Sequence, residues 1–394
     1  MPSPSPLAHH WDLDPDVVFL NHGSFGACPR VVMELQQQLR ARMEAQPLKF
    51  LHRELEAMLD DARQPLAQLV GCDADDLAFV PNATTGVNTV LRSLTFAPGD
   101  ELLVTDHEYN ACRNALDFVA ERAGARVVVA AVPFPIDDAD TVVARVLERV
   151  SERTRLLLID HVTSPTGLVN PVERLVSAMT ERGIDTLVDG AHAPGMLPLD
   201  LDALGAAYYT GNCHKWLCTP KGSALLHVRR DRQQQIRPLT ISHGANVPRD
   251  DRSRFRLEFD FCGTNDYTPA LCVPAAIRFL QQLLPGGLPA LRRHNHELAL
   301  RGRDLLCAAL GTAPPAPDAM IGSLASVVLP PSNEPIISPQ GLDPLQVALW
   351  ERHRIEVPVM RWPKPHLRLL RISPQAYNDE GQYAHLAEVV QTLV

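Results

Sequence analysis

The sequence predicts an α/β protein, a large domain on a mostly parallel, seven-stranded-type sheet followed by a smaller C-terminal α+β domain. Three observations carry that reading. From Asp76 onward, short β-rich runs alternate with longer stretches whose apolar residues recur at helical spacing, the pattern of strand-helix-strand units in a parallel sheet covered on both faces. After a long apolar helix, Ala270 to Leu284, the alternation stops at Pro285-Gly286-Gly287. With 394 residues, the chain is longer than one core usually serves. The implied divisions are an N-terminal arm over 1–20, a large domain over 21–270 and a small domain over 271–394.

In chain order, Met1 to His10 is Pro/Ser-rich and flexible, and Asp16 to Phe19 is briefly extended. Asn21-His22-Gly23-Ser24 reads as a loop, where glycine permits a turn that other residues resist. Val31 to Leu39 and Leu51 to Leu69 carry helical spacing, with breaks expected near Pro47 and Pro65. Leu77 to Val80, Glu101 to Thr105, Arg126 to Ala131, Arg155 to Ile159, Asp185 to Val188, Ala206 to Tyr209 and Ser223 to Val228 read as strands. Helical patterns fall between most of them, at Thr85 to Leu94, Ala111 to Ala123, Thr141 to Val150 and Val172 to Arg182. Arg229 to Arg256 is polar with little periodicity, as expected of loops over a site or at a subunit contact. The small domain is expected to contain helices near Ala290 to Leu310 and Pro344 to His353. Its strands are expected near Ser323 to Leu329, Ile355 to Val359 and Leu367 to Ile372.

Composition narrows the function. Hydrophobic residues make up 45% and charged residues 21%, the balance of a soluble globular chain. A formal net charge of −9 argues against nucleic acid as the main partner. The N-terminus lacks the basic start and apolar core of a signal peptide, and no segment is apolar for the length of a membrane span. The eight cysteines are scattered with no Cys-x-x-Cys pair, which favours reduced thiols in the cytoplasm over disulfides or a metal site.

The chemistry centres on Tyr208 to Trp216, an apolar strand running into Gly211-Asn212-Cys213-His214-Lys215-Trp216. Of four lysines, Lys49 lies in a charged helical stretch, Lys221 follows a proline in a turn, and Lys364 sits between prolines. Only Lys215 directly follows a strand. An amine in a water-poor pocket deprotonates readily, and the neutral amine attacks an aldehyde, so Lys215 is the candidate for Schiff-base chemistry. Asp189 ends the apolar run Thr186-Leu187-Val188 before a glycine, at the strand end where open α/β sheets bind ligands. Asn82-Ala83-Thr84-Thr85-Gly86 joins a strand to a helix. Such an N-terminus with hydroxyl residues suits phosphate, although plain capping by threonine uses the same residues.

Leu20-Asn21-His22-Gly23-Ser24-Phe25-Gly26, Ala83-Thr84-Thr85-Gly86, Asp106-His107-Glu108-Tyr109, Val188-Asp189-Gly190-Ala191-His192, His214-Lys215-Trp216, Gly263-Thr264 and Arg371-Ile372-Ser373 recur in order across nearly the whole chain. Together they resemble the class V aminotransferase family of fold-type I pyridoxal phosphate enzymes, in particular its isopenicillin N epimerase-like branch. The resemblance implies pyridoxal 5'-phosphate on Lys215, with Asp189 on the pyridine nitrogen, a carboxylate partner that keeps the ring an electron sink. Thr84, Thr85, His214 and Asn212 would hold the phosphate, and His192 the phenolic oxygen. Tyr109 stands where class V desulfurases carry histidine, and would stack on the ring and pass a proton. His107 is the alternative contact. Thr264 would reach the neighbouring subunit's phosphate, which implies a homodimer. Asn21 and His22 would lie close to the substrate, and Arg371 would clamp its α-carboxylate with a planar fork.

The resemblance implies an amino-acid substrate and reaction at Cα or Cβ, and leaves epimerisation, C–S cleavage and transamination open. A nicotinamide-dependent dehydrogenase would need a Gly-x-Gly-x-x-Gly after a strand, which the sequence lacks. A cofactor-free dimeric binding module would be expected to have lost Lys215 or Asp189. Ile355 to Leu370, before Arg371, contains no cysteine, so a persulfide-forming desulfurase is not expected. Met360, Arg361 and Trp362 would instead form a specificity wall.

Overall fold

A computed structural model describes residues 2–336, 338 and 340–394. Twelve strands occur among the described residues: β1 (Val18–Phe19), β2 (Leu77–Val80), β3 (Glu101–Thr105), β4 (Arg126–Ala130), β5 (Thr154–Asp160), β6 (Asp185–Asp189), β7 (Tyr208–Asn212), β8 (Ala224–Val228), β9 (Ala325–Leu329), β10 (Ile355–Glu356), β11 (Val359–Arg361) and β12 (Arg368–Ile372). Seven of them form one sheet in the order β2-β8-β7-β6-β5-β3-β4. The pairs from β4 to β7 are parallel, whereas β8 runs antiparallel to β7 and β2 antiparallel to β8.

The sheet is buried on both faces, which is why its strands read as continuous apolar runs. Alternate residues serve opposite sides: Leu157, Ile159, Val188 and Tyr209 join one apolar cluster, and Leu156, Leu158, Leu187 and Tyr208 another. Helix Ala83–Ser93 sits close on β7 because position 86 is glycine. A Cβ there would lie 2.1 Å from Thr210 Oγ1.

A smaller antiparallel sheet, β11-β12-β9, packs on helix Gly287–Leu310, which in turn packs on helix Glu380–Leu393. β1 pairs in parallel with β10, and Asn21 bridges to Ser373, so the N-terminal segment is tied beside Arg371.

Several elements differ from the sequence reading. Helix Leu55–Val70 runs through Pro65 unbroken, because Leu55, Leu59, Leu66 and Val70 bury one stripe whose packing outweighs the lost backbone bond. Residues expected as a loop at 21–24 include a single helical turn, His22–Phe25. The long helix expected at 270–284 is two, Thr268–Leu271 and Val273–Leu283. The extended run at 355–359 divides between β10 and β11, which pair with different sheets. The polar stretch after β8 holds short 3₁₀ turns and helix Arg254–Phe259. Helix Glu380–Leu393, opened by an Asp379 and Gln382 capping box, was not anticipated.

Candidate active site

The carboxyl ends of β6 and β7 open into a cavity of about 300 Å³, lined among others by Tyr109, Asp160, Asp189, His192, Asn212 and Lys215. Parallel strands point these ends one way, as α/β sheets do at their binding crevice. Lys215 follows β7 in a tight turn, with its Nζ 3.2 Å from His192 Nε2. Burial is the main cause that lowers its pKa from the ordinary 10.5 to about 7, Arg371 adds to it, and Asp189 and Asp160 oppose it. At about 1.4 kcal/mol per unit, that shift is on the order of 5 kcal/mol against carrying charge there. The amine is therefore poised between its charged and nucleophilic forms near neutral pH.

Asp189 ends β6, buried. Its Oδ1 accepts from the Ala191 N–H at 2.9 Å and its Oδ2 from the Cys112 thiol at 3.0 Å. Burial pushes its pKa up despite these bonds. Asp160 and Glu108 are also buried and pushed well up, desolvation leading in both, followed by repulsion from Asp189 on Asp160 and from Asp160 and Asp189 on Glu108. No salt bridge to Asp189 occurs among the described residues. An anion there lacks the compensation a buried charge requires.

His192 is flanked on both sides, Trp216 Nε1 donating to its Nδ1 at 3.4 Å opposite Lys215. Asn212 Oδ1 accepts from the Ala83 N–H at 2.8 Å, which turns the Asn212 amide donors free. Thr84 and His214 line the cavity as well. His214 Nδ1 lies 2.9 Å from the Ser223 carbonyl and therefore donates to it, leaving Nε2 as the acceptor. Desolvation chiefly lowers its pKa to about 4. A phosphate facing Nε2 has to bring or induce a proton there.

Arg371, 3% exposed, lies behind Ser24 and Ser164. It donates to Ser164 O at 2.6 Å, Ser164 Oγ at 3.2 Å and Ser24 Oγ at 3.1 Å, while its Nε has no partner. Desolvation lowers its pKa to about 10. A buried guanidinium held only by neutral groups is a receptor for a carboxylate.

Other expected residues take different places. Thr85 is not on the cavity wall: its N–H and hydroxyl both donate to Asn82 Oδ1, at 2.8 and 3.0 Å, so the capping role prevails. His22 is wholly buried and does not line the cavity. Its Nε2 donates to the Lys215 carbonyl at 3.0 Å and its Nδ1 accepts from the Tyr377 hydroxyl at 2.8 Å, which braces the lysine turn from beneath. Asn21 also lies off the wall and accepts from Ser24 Oγ at 2.6 Å, reaching Arg371 at one remove. His107 points into the core against Trp362, its nitrogens engaged by Thr166 Oγ1 and the Val132 carbonyl. Thr264 is exposed and does not line its own chain's cavity. Arg361 pairs with buried Asp343, and neither it, Met360 nor Trp362 lines the cavity, so no specificity wall forms there. Asp160, Ser164 and Lys221 line it unanticipated, and Ser24, the last residue of the loop expected close to the substrate, lines it too. Ser24 and Ser164 are tied to the site by their hydrogen bonds to Arg371, contacts that no local sequence signal marks.

These features fit pyridoxal phosphate: an uncompensated buried carboxylate for the ring nitrogen, a depressed lysine for the aldehyde, and donors at Thr84 and Asn212 for the phosphate. Bound there, the cofactor supplies an aldehyde for amines and a ring that accepts an electron pair from Cα.

Comparison with known proteins agrees. The family model described as aminotransferase class-V matches residues 17–382. Isopenicillin N epimerases of Amycolatopsis lactamdurans and Streptomyces clavuligerus are 39% and 37% identical, each over 97% of this chain and 96% of theirs. A probable chloroplastic L-cysteine desulfhydrase of Arabidopsis thaliana is 31% identical over 99% of this chain and 85% of its own. Among solved structures, the cystine C–S lyase C-DES with its product cysteine persulfide is similar at a TM-score of 0.78 and 23% identity, covering 96% of this chain and 98% of that one. The fold-type I architecture is shared with it. The chain belongs to the aminotransferase class-V family and is a pyridoxal-phosphate-dependent enzyme.

Proposed function

We propose that this enzyme epimerises an amino acid at Cα. One observation carries the reading: Lys215 and Tyr109, two proton-carrying groups from different elements, line one cavity backed by an arginine without an acid partner. Inversion needs a proton removed from one side of Cα and another delivered to the opposite side. Lys215 removes the proton, Tyr109 delivers one, and Arg371 holds the α-carboxylate. Asp189 balances charge at the ring nitrogen, Asn212 and Thr84 serve the phosphate, and His192 serves the phenolic oxygen. Burial raises the Tyr109 pKa, keeping the phenol protonated and able to donate. The similarity to isopenicillin N epimerases supports this assignment and suggests isopenicillin N as the first substrate to try.

Elimination at Cβ with loss of sulfur is the second reading, favoured by the similarity to L-cysteine desulfhydrases. Transfer of sulfur to the protein is not expected, since no cysteine lines the cavity among the described residues. We also propose a homodimer, supported by the exposed Phe25, Leu48 and Ile241, apolar side chains that a second copy would cover. A cytoplasmic setting accords with eight unpaired thiols.

Incubation in D₂O with isopenicillin N, and separately with L-cysteine, tests the choice. Deuterium at Cα with inversion is expected. Pyruvate and sulfide from L-cysteine, without inversion of either compound, would overturn epimerisation in favour of the lyase. A protein persulfide formed at the rate of turnover would overturn the exclusion of desulfurase chemistry.

A further inference from the structure

The indole of Trp216 has one polar atom, and it can only donate. That N–H faces His192 Nδ1 at 3.4 Å, a long but directed bond, so Nδ1 has to be the unprotonated ring nitrogen. Neutral imidazole carries its one proton on the other nitrogen, Nε2, which lies 3.2 Å from Lys215 Nζ. We propose that Trp216 is a positioning residue that locks His192 in its Nε2-protonated form, making the imidazole a donor toward Lys215 Nζ and toward any anionic oxygen beside it. A protonated lysine would present a donor to that donor. The lock therefore favours the neutral amine, whichever reaction at Cα follows.

The surroundings hold the arrangement in place. Trp216 is buried with Val162, Met196 and Leu324, and its ring meets His22 edge-on at 4.9 Å. Gly195, at φ +92°, lets the backbone pass within reach of Trp216, where a Cβ would sit 2.5 Å from its carbonyl. The charged and titratable groups around His192 are Lys215, Arg371 and His22, and those around Lys215 are Arg371, Asp189, Asp160 and Cys112. A change confined to the indole N–H leaves all of them in place.

Trp216→Phe keeps an aromatic ring and removes the N–H. The holoenzyme, labelled with ¹⁵N-histidine, reports the protonated ring nitrogen of each histidine, with His192→Gln identifying the His192 signal. The wild type should show His192 protonated at Nε2, and Trp216→Phe should show a mixture or Nδ1 protonation. The pH midpoint of pyridoxal phosphate uptake by the apoenzyme, which reports the free Lys215 amine, should rise by about one unit, a tenfold gain in proton affinity. Protonation at Nδ1 in the wild type would overturn the proposal, and needs no variant. An unchanged His192 signal and midpoint in Trp216→Phe would overturn it too. If phenylalanine does not fold, benzothienylalanine at 216 has the indole's shape without its N–H and faces the same two criteria.

Discussion

Single side chains decide the chemistry here, and burial acts on each of them in a predictable direction. The Lys215 pKa is lowered to about 7, so the amine is protonated below that pH and neutral above it. Uptake of pyridoxal phosphate by the apoenzyme should accelerate as pH rises through about 7 and then level off. A stopped-flow series showing the midpoint near the ordinary lysine value would contradict this. Asp189→Asn should fold as the parent does, since a neutral amide removes an uncompensated buried charge. Turnover should fall about 100-fold or more, the scale on which losing one preorganised electrostatic partner acts. Parental turnover would show that Asp189 is not the ring's charge partner. Tyr109→Phe should lower inversion by about 10²- to 10⁴-fold, the usual span for a general acid, while Cα exchange from the lysine side persists. If inversion survives, a different group delivers the second proton.

At the level of elements, much of this site was legible because strand ends are marked by composition. The apolar run stopping at Asp189 locates one edge of the cavity before any fold is known, and the strand expected to end at Tyr209 stops three residues short of Asn212, where β7 ends at a second edge. What stayed illegible depends on partners distant in sequence. Nothing local shows that His22 lies under Lys215, 193 residues away, or that Asn21 reaches Arg371 through Ser24. Thr85 illustrates a different limit: capping and phosphate binding use the same residue types, and only the bond to Asn82 Oδ1 separates them. Pro65 misled because a local rule met a stronger packing stripe. Helix Ala83–Ser93 should be sensitive at its cap. Asn82→Ala removes the acceptor for both Thr85 donors and should cost about 1 kcal/mol in urea unfolding. It should also weaken cofactor retention by loosening Thr84, and an unchanged unfolding midpoint would contradict the cap's importance.

For the whole molecule, the mixed sheet supplies one crevice, and the smaller sheet closes it by carrying Arg371 on β12. The two regions meet through the Asn21 to Ser373 bridge, which fixes the arginine relative to the lysine turn. Sedimentation should show a dimer, and dilution that dissociates it should release cofactor, given the exposed Thr264 and apolar side chains. A fully active, fully loaded monomer would contradict that assembly. Every role assigned around the cavity requires Lys215 to be the residue that carries the cofactor. Borohydride reduction of the yellow holoenzyme followed by peptide mapping tests this most directly. The reduced cofactor is expected on the peptide containing Lys215, whereas label on Lys49, Lys221 or Lys364, or on no lysine, would contradict that assignment.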